Sequence, residues 1–386
     1  MTKSTTERAE IEERISDGTT WRNFCRALES AGDTILRDST PKDAFNRAEG
    51  FRYLTRLLRA SLESQIESSN PCHPRFYQLS NETIKIGNDN PDNIYHNCNV
   101  SGRYDYLIRG KRGGVPYISF GTKAGSYERD AEMRPTGQFD SRAMHVDPDG
   151  SFEIIVSAKE QSGNWLPMRP DSEMIIVRQT FNLRDEEEPA TYTIECLNPD
   201  SVKGNEQGNS LDPAALEPAL ERATDFVTQT SNLFTDWMER YSAHLNALPS
   251  DDQERCQRAG GDANIHYLQS YWKLAPDEAL VIEADRIPEA GTWNFQLSNF
   301  WMESLDYLNH RVHINRHTAQ LEPDQSLRIV VAHADPGAAF PNWLDTCQHD
   351  QGGMLFRWIE SEGDHPPVRT RVVPLSELIG SNGSQA

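Results

Sequence analysis

The sequence has no long hydrophobic run. None of its apolar stretches approaches the ~18 residues that a membrane-crossing helix needs. The first residues, Met1-Thr-Lys-Ser-Thr-Thr-Glu-Arg8, carry no hydrophobic signal core, so a cytoplasmic protein is expected. Cysteine is sparse and scattered. Cys25, Cys72, Cys98, Cys196, Cys256 and Cys347 include no Cys-x-x-Cys pair, so free thiols and no structural zinc are expected. Positive charge is outnumbered, with 38 Lys and Arg against 59 Asp and Glu. A net charge of -21 repels phosphate backbones and anionic lipid, which makes nucleic acid and membrane poor partners. Also missing are a G-x-S-x-G elbow, a Walker loop, a G-x-G-x-x-G fingerprint and an H-E-x-x-H helix. Nucleotide, flavin and zinc-protease chemistry therefore find no support, and neither an organic cofactor nor a metal is expected.

What the sequence does contain is a phrase written twice. Asp149-Gly-Ser-Phe-Glu-Ile-Ile-Val156 is followed by Asn164-Trp165-Leu166 and Met174-Ile-Ile-Val-Arg178. Asp324-Gln-Ser-Leu-Arg-Ile-Val-Val331 is followed by Asn342-Trp343-Leu344 and Met354-Leu-Phe-Arg357. Each copy is an alternating strand, a loop ending in Asn-Trp-Leu and a second strand closing on Arg. A repeat of this length is one structural unit used twice.

Around the repeat the period changes. Trp21, Phe24, Cys25, Leu28 and Ile35, then Phe45, Ala48, Phe51, Leu54, Leu58 and Leu62, recur at helical spacing. Period-two stretches dominate from Phe76, and again from Tyr267. We therefore expect a mainly β fold with helical additions, built as two tandem antiparallel β-sandwich or jelly-roll-like units from an internal duplication. The expected division is a helical segment over 1–75, a first unit over 76–197, a linker and connecting helix over 198–266, a second unit over 267–379 and a disordered tail over 380–386.

Candidate chemistry lies where polar residues interrupt apolar strands. Asn88-Asp-Asn-Pro-Asp-Asn93, followed by Ile94-Tyr95-His96-Asn97, is the densest polar cluster, read either as a series of Asx turns or, through Asp92, Tyr95 and Asn97, as the wall of a pocket at the mouth of the first unit, with Asn90 a further ligand candidate. Arg178 and Arg357 hold equivalent places in the repeat. If inward, each needs a carboxylate from Asp149, Glu187, Glu195, Asp324 or Asp345, or an anionic ligand held bidentately. Trp293, Asn299, Trp301 and Tyr307 are further ligand candidates. Trp301, Glu303 and Tyr307 read as alternating on one strand face, which would set a carboxylate beside an aromatic wall. Desolvation there would suit Glu303 to proton transfer, with Asp92 and Tyr95 as the other catalytic candidates. The competing reading pairs Glu303 with an arginine that only holds the sheet. Trp165 and Trp343 read as plugs at the sandwich ends, or as stacking faces for a ligand. His310, His313 and His317, placed on one strand, would be too far apart in direction to share an ion.

Ala48-Glu-Gly-Phe-Arg-Tyr-Leu54, Asn90-Pro-Asp-Asn-Ile-Tyr95, Asn164-Trp-Leu-Pro167 with Arg178-Gln-Thr-Phe181, and Asp335-Pro-Gly337 with Asn342-Trp-Leu-Asp345 resemble bacterial proteins of the domain-of-unknown-function family 1214. The likeness reads as strongest over Tyr267 to Glu360, and the segment Asn90 to Tyr95 is also similar to the companion family 1254. The resemblance implies a double β-sandwich and no established reaction. The functional expectation is a cofactor-independent hydrolase or lyase acting on a small amphipathic metabolite in a cleft between the units. The alternatives are a non-catalytic binder of a carbohydrate or hydrophobic metabolite, and a structural homo-oligomer.

Overall fold

The computed structural model describes residues 5–198, 211–288, 291–361 and 363–381. The polar linker after Asn198 and residues 382–386 of the expected tail lie outside the described residues, while residues 380 and 381, also expected in the tail, close the helix Leu375–Ser381. The first unit contains β1 (Asn93–Asn99), β2 (Tyr106–Lys111), β3 (Tyr117–Ala124), β4 (Arg134–Asp140), β5 (Ser151–Ser157), β6 (Trp165–Pro167), β7 (Met174–Thr180) and β8 (Thr191–Cys196). The second contains β9 (Ile265–Lys273), β10 (Glu278–Ala284), β11 (Thr292–Leu297), β12 (His313–Asn315), β13 (Leu327–Ala332), β14 (Trp343–Asp345), β15 (Gln351–Ile359) and β16 (Val368–Pro374).

Each unit is two four-stranded sheets. The first has orders β1-β7-β3-β4 and β6-β5-β2-β8, the second β9-β15-β11-β12 and β14-β13-β10-β16. The two sets match strand for strand in chain order, so the duplication extends over all eight strands of each unit. One detail departs from the antiparallel expectation. β6 runs parallel to β5, and β14 parallel to β13, because each short strand is reached by a loop that crosses back over its neighbour.

The repeated Asn-Trp-Leu has a structural cause. Asn164 accepts from the His145 backbone N–H and donates to the carbonyls of His145 and Glu153. Asn342 does the same with Gln320 and Arg328. The Trp165 indole donates to Ser157 O and that of Trp343 to Ala332 O, at matching positions on β5 and β13. Leu166 and Leu344 fill the two sandwich cores. Asn342 is buried and Asn164 only partly so. Asn342→Ala should therefore cost about 2 kcal/mol, since three backbone groups lose their partner. Asn164→Ala should cost less, and urea unfolding midpoints of the two variants check the order.

Helices cover the seam between the units. Tyr53 and Leu57 of the helix Ala44–Leu62 and Phe226, Phe234 and Trp237 of the helix Pro213–Tyr241 pack with Ile176 of β7 and Tyr267 and Leu355 of the second unit. Gly50 is required there, because a Cβ would sit 2.6 Å from the Trp301 ring. The aromatic stripe expected along the first helices is only partly used. Trp21, Phe45 and Phe51 are 62%, 44% and 45% exposed, while Tyr53 and Leu57 make the contact.

The segment 298–312 is not the strand expected. It is a chain of turns with one bridge, Ser298 to Ser304, so Trp301, Glu303 and Tyr307 do not share a strand face. Its turn residue Met302 adopts a left-handed backbone. Nor do His310 and His313 share a strand: His310 lies in a turn before β12. There it comes together with Asp345 and Cys347, their ligand atoms within 4.8 Å of one another.

Candidate functional site

Two sheets, one from each unit, turn a polar face to the seam. On β7, Ile175 and Val177 enter the first sandwich core, which sends Arg178 to the opposite side. On β15, Met354, Phe356 and Trp358 do the same, and Arg357 points to the seam. The register confirms the equivalence. Arg178 lies between Tyr95 of β1 and Ser119 of β3, and Arg357 lies between Tyr267 of β9 and Asn294 of β11. The phenol of Tyr95 accepts from the Asn90 N–H at 2.9 Å, and that of Tyr267 from the Asp262 N–H at 3.0 Å. Both tyrosines thus pin the turn five residues ahead of them.

Those two turns cross the seam reciprocally. Asn90 and Asp92 of the first unit accept from the Asn294 amide, at 2.5 and 2.8 Å. Asp92 also accepts from Asn315 and lies 3.2 Å from His313. Asp262, from the turn before β9, accepts from Ser119 and Gln138 of the first unit. Burial alone would raise the Asp92 carboxyl, but His313 and the two amides hold it below its ordinary range.

Between the polar faces and the covering helix lies a cavity of about 140 Å³. Its polar wall includes Asn90, Tyr95, Asn97, Arg178, Tyr267 and Arg357. Its apolar wall includes Met133, Ile176, Phe234, Trp237 and Leu355. The two arginines differ. Arg357 is 4% exposed and locked: one guanidinium nitrogen donates to Gln296 and Asn294, the other to Asn88 O. Arg178 is half-buried, and among the described residues its guanidinium donates only to Gly260 O. Ser119 and Gly121, which stand where the second unit has Asn294 and Gln296, are too short to hold it. Among the described residues neither guanidinium has a carboxylate at salt-bridge distance. The expected partners are engaged elsewhere: Asp149 with Lys111, Glu195 with Arg109, Asp345 with His310. Glu187 and Asp324 accept from nearby backbone N–H groups. Burial lowers the Arg357 guanidinium from its ordinary range, with Tyr95, Tyr267, Asp89 and Asp92 opposing. Cys256 also borders the cavity, and burial followed by the Asp251 charge pushes its thiol up, keeping it protonated.

The remaining sequence candidates sit elsewhere. Trp293 faces the second sandwich core, one residue out of phase with Asn294. Trp301 is core beneath the helix Ala44–Leu62, its indole donating to Asn46 O. Tyr307 lies under the cations of Lys85 and Arg184. Glu303 is fully buried, receives Arg56 at 2.6 Å and the Asn299 amide at 2.8 Å, and is outside the cavity lining. Burial raises its carboxyl, and Arg56 opposes the rise. Beside it, Glu49 is bound by His349 and Asn299; burial opposes ionisation, yet these partners and Arg52 bring the carboxyl down to about 2.

Sequence reasoning missed Tyr267, Asn294, Gln296, Asp262 and Lys123. The repeat points only partly to Tyr267: Asn264-Ile265-His266-Tyr267 echoes Asn93-Ile94-Tyr95 with one residue inserted before the tyrosine.

The arrangement matches a known architecture. The crystal structure of an uncharacterized protein from Burkholderia cenocepacia is 46% identical, over 95% of this chain and 99% of that one, with a TM-score of 0.90. A family profile described as a protein of unknown function (DUF1214) matches residues 99–182. The chain belongs to the DUF1214 family. The profile falls on the first unit of this DUF1214 chain, β2 to β7 with their flanks, whereas the likeness had been expected to peak in the second. A protein from Vibrio parahaemolyticus aligns at 10% identity over 89% of the chain and all of its own length, with a TM-score of 0.46. No curated protein matches.

Proposed function

We propose that this DUF1214 protein binds a small amphipathic carboxylate in the cavity between its two units. One observation carries the reading: the two repeat-equivalent arginines border the same cavity, and among the described residues neither has a carboxylate at salt-bridge distance. Arg178 is half-buried with a backbone carbonyl as its partner, and a ligand carboxylate would take the remaining donors of its guanidinium fork. Phe234, Trp237 and Leu355 would receive an apolar tail. A cavity of about 140 Å³ suits a ligand with one ring or a short branched chain.

Binding is favoured over hydrolysis by the condition of the acid–base groups around the cavity. Asp89 is committed to Ser304 and Cys256 is protonated. The protein's net charge of -21 would slow an anion's approach, so selectivity would rest on the two local cations. No helix among the described residues is long and apolar enough to cross a membrane, and a cytoplasmic metabolite fits this reading.

Calorimetry with benzoate and benzamide tests it. Benzoate should bind and benzamide should not, and Arg178→Met should weaken benzoate roughly tenfold to a hundredfold, the worth of one charged hydrogen-bond pair. Equal binding of the amide, or an unchanged affinity in the variant, would overturn the proposal.

A further inference from the structure

Lys123 is the unexplained residue of the seam. It stands on β3 on the same face as Ser119, in register with Met174 of β7. Its side chain runs back over Gly121: a Cβ at 121 would meet the Lys123 Cε at 3.8 Å. The second unit has Gln296 where Gly121 stands, and Ser298 where Lys123 stands. Removing the Gln side chain in one copy and lengthening Ser to Lys in the other position brings an amine towards Arg178. Lys123 is 3% exposed, and among the described residues the one hydrogen bond of its amine is to Gly261 O at 3.3 Å. Among the described residues no carboxylate lies within salt-bridge distance of it.

With Ser119, Gln138, Arg178 and Asp262 it borders a small space of about 10 Å³. Arg178 is shared between this space and the large cavity, and Gly260 and Gly261, which carry no side chains, line the large one beside it. A structural lysine would be given a carboxylate or carbonyl acceptors, or reach solvent. Lys85, also buried, donates to two carbonyls, Ser304 O and Leu305 O. Lys123 has one such carbonyl at 3.3 Å, with Asp262 across the same small space, and it lies next to Arg178.

Resting on the carboxylate reading above, we propose that Lys123 forms an imine with a small 2-oxo acid whose carboxylate is held by Arg178. The free amine attacks the keto carbon, a C–N bond forms, and the keto oxygen leaves as water carrying the two amine protons. No oxidant or further reactant is needed. Burial, then the Arg178 charge, brings the Lys123 amine down to about 7, with Asp262 opposing, so the unprotonated nucleophile is available near neutrality. The imine withdraws electrons from the neighbouring carbon, which is the step that cofactor-independent lyase chemistry on such an acid requires.

The test is borohydride trapping with 2-oxoisovalerate, followed by peptide mass mapping. One reduced adduct on Lys123 is expected. Lys123→Met should lose it, and Arg178→Met should lose labelling by the oxo acid while keeping labelling by the neutral isobutyraldehyde. Calorimetric binding of 2-oxoisovalerate with no trapped adduct would overturn the imine and leave the carboxylate site standing. If neither benzoate nor the oxo acid binds, both proposals fall. Labelling spread over surface lysines, or retained in Lys123→Met, also overturns the imine.

Discussion

Arg56→Met should destabilise the protein by about 3–5 kcal/mol at neutral pH, the cost of leaving a buried charge without its partner. Glu303 is 1% exposed and Arg56 is its only cationic contact at salt-bridge distance among the described residues. The loss should depend on pH in a defined direction. The folded-state carboxyl is already raised above 4.5, so the folded chain holds its proton to higher pH than the unfolded chain does. Stability attributable to Glu303 therefore falls as pH rises from about 4.5 through the folded value. In Arg56→Met the carboxyl loses its cation and rises further. The variant should approach wild-type stability in acid, where Glu303 is neutral in both states, and fall away from it towards neutrality. The double variant Arg56→Met/Glu303→Gln should regain most of the loss. Guanidinium melts at pH 5 and pH 8 measure this. Equal losses at both values would show that Glu303 carries no charge in the native protein.

Lys123→Met should act in the opposite direction and stabilise the unliganded protein by about 2–4 kcal/mol at pH 7. The amine titrates at about 7 in the folded chain against 10.5 ordinarily. Between those values the unfolded chain carries a proton that the folded chain does not. Wild-type stability should therefore rise with pH across that window, and below it the full penalty applies. Methionine has nothing to protonate, so its advantage should be largest near and below pH 7 and shrink towards pH 10. The predicted gain is smaller than the full titration difference, because the bond to Gly261 O is lost. A variant that is less stable than wild type at pH 7 would mean that Lys123 is paired in solution with a group such as Asp262.

The duplication was legible because its signature is local. An Asn that clamps three backbone groups and a Leu that enters a core leave the same words in both copies. Alternation placed Arg178 and Arg357 on matching faces for the same reason. The seam was not legible, because it depends on which chain segments meet. Asp262 and Ser119 are 143 residues apart, and Asn90 and Asn294 are 204 apart. Trp301, Glu303 and Tyr307 misled because three residues at spacings of two and four fit a strand by period. The turn at Met302, with its left-handed backbone, breaks that period and leaves no clear mark in residue type. Trp293 misled by one position: the aromatic went to the core, and its polar neighbour Asn294 went to the seam.

The reciprocal crossing of the two turns has an evolutionary reading. An assembly of two identical chains about a dyad would carry every substitution twice, so a residue freed on one side would be freed on the other. Here both sides of the dyad lie in one chain, and each copy has drifted alone. Asn294 and Gln296 fasten one arginine. Ser119 and Gly121 release its counterpart, and Lys123 stands beside it where the other copy kept Ser298. Covalent joining thus let half of a symmetric joint become a fixed frame while the other half lost the side chains that fasten it.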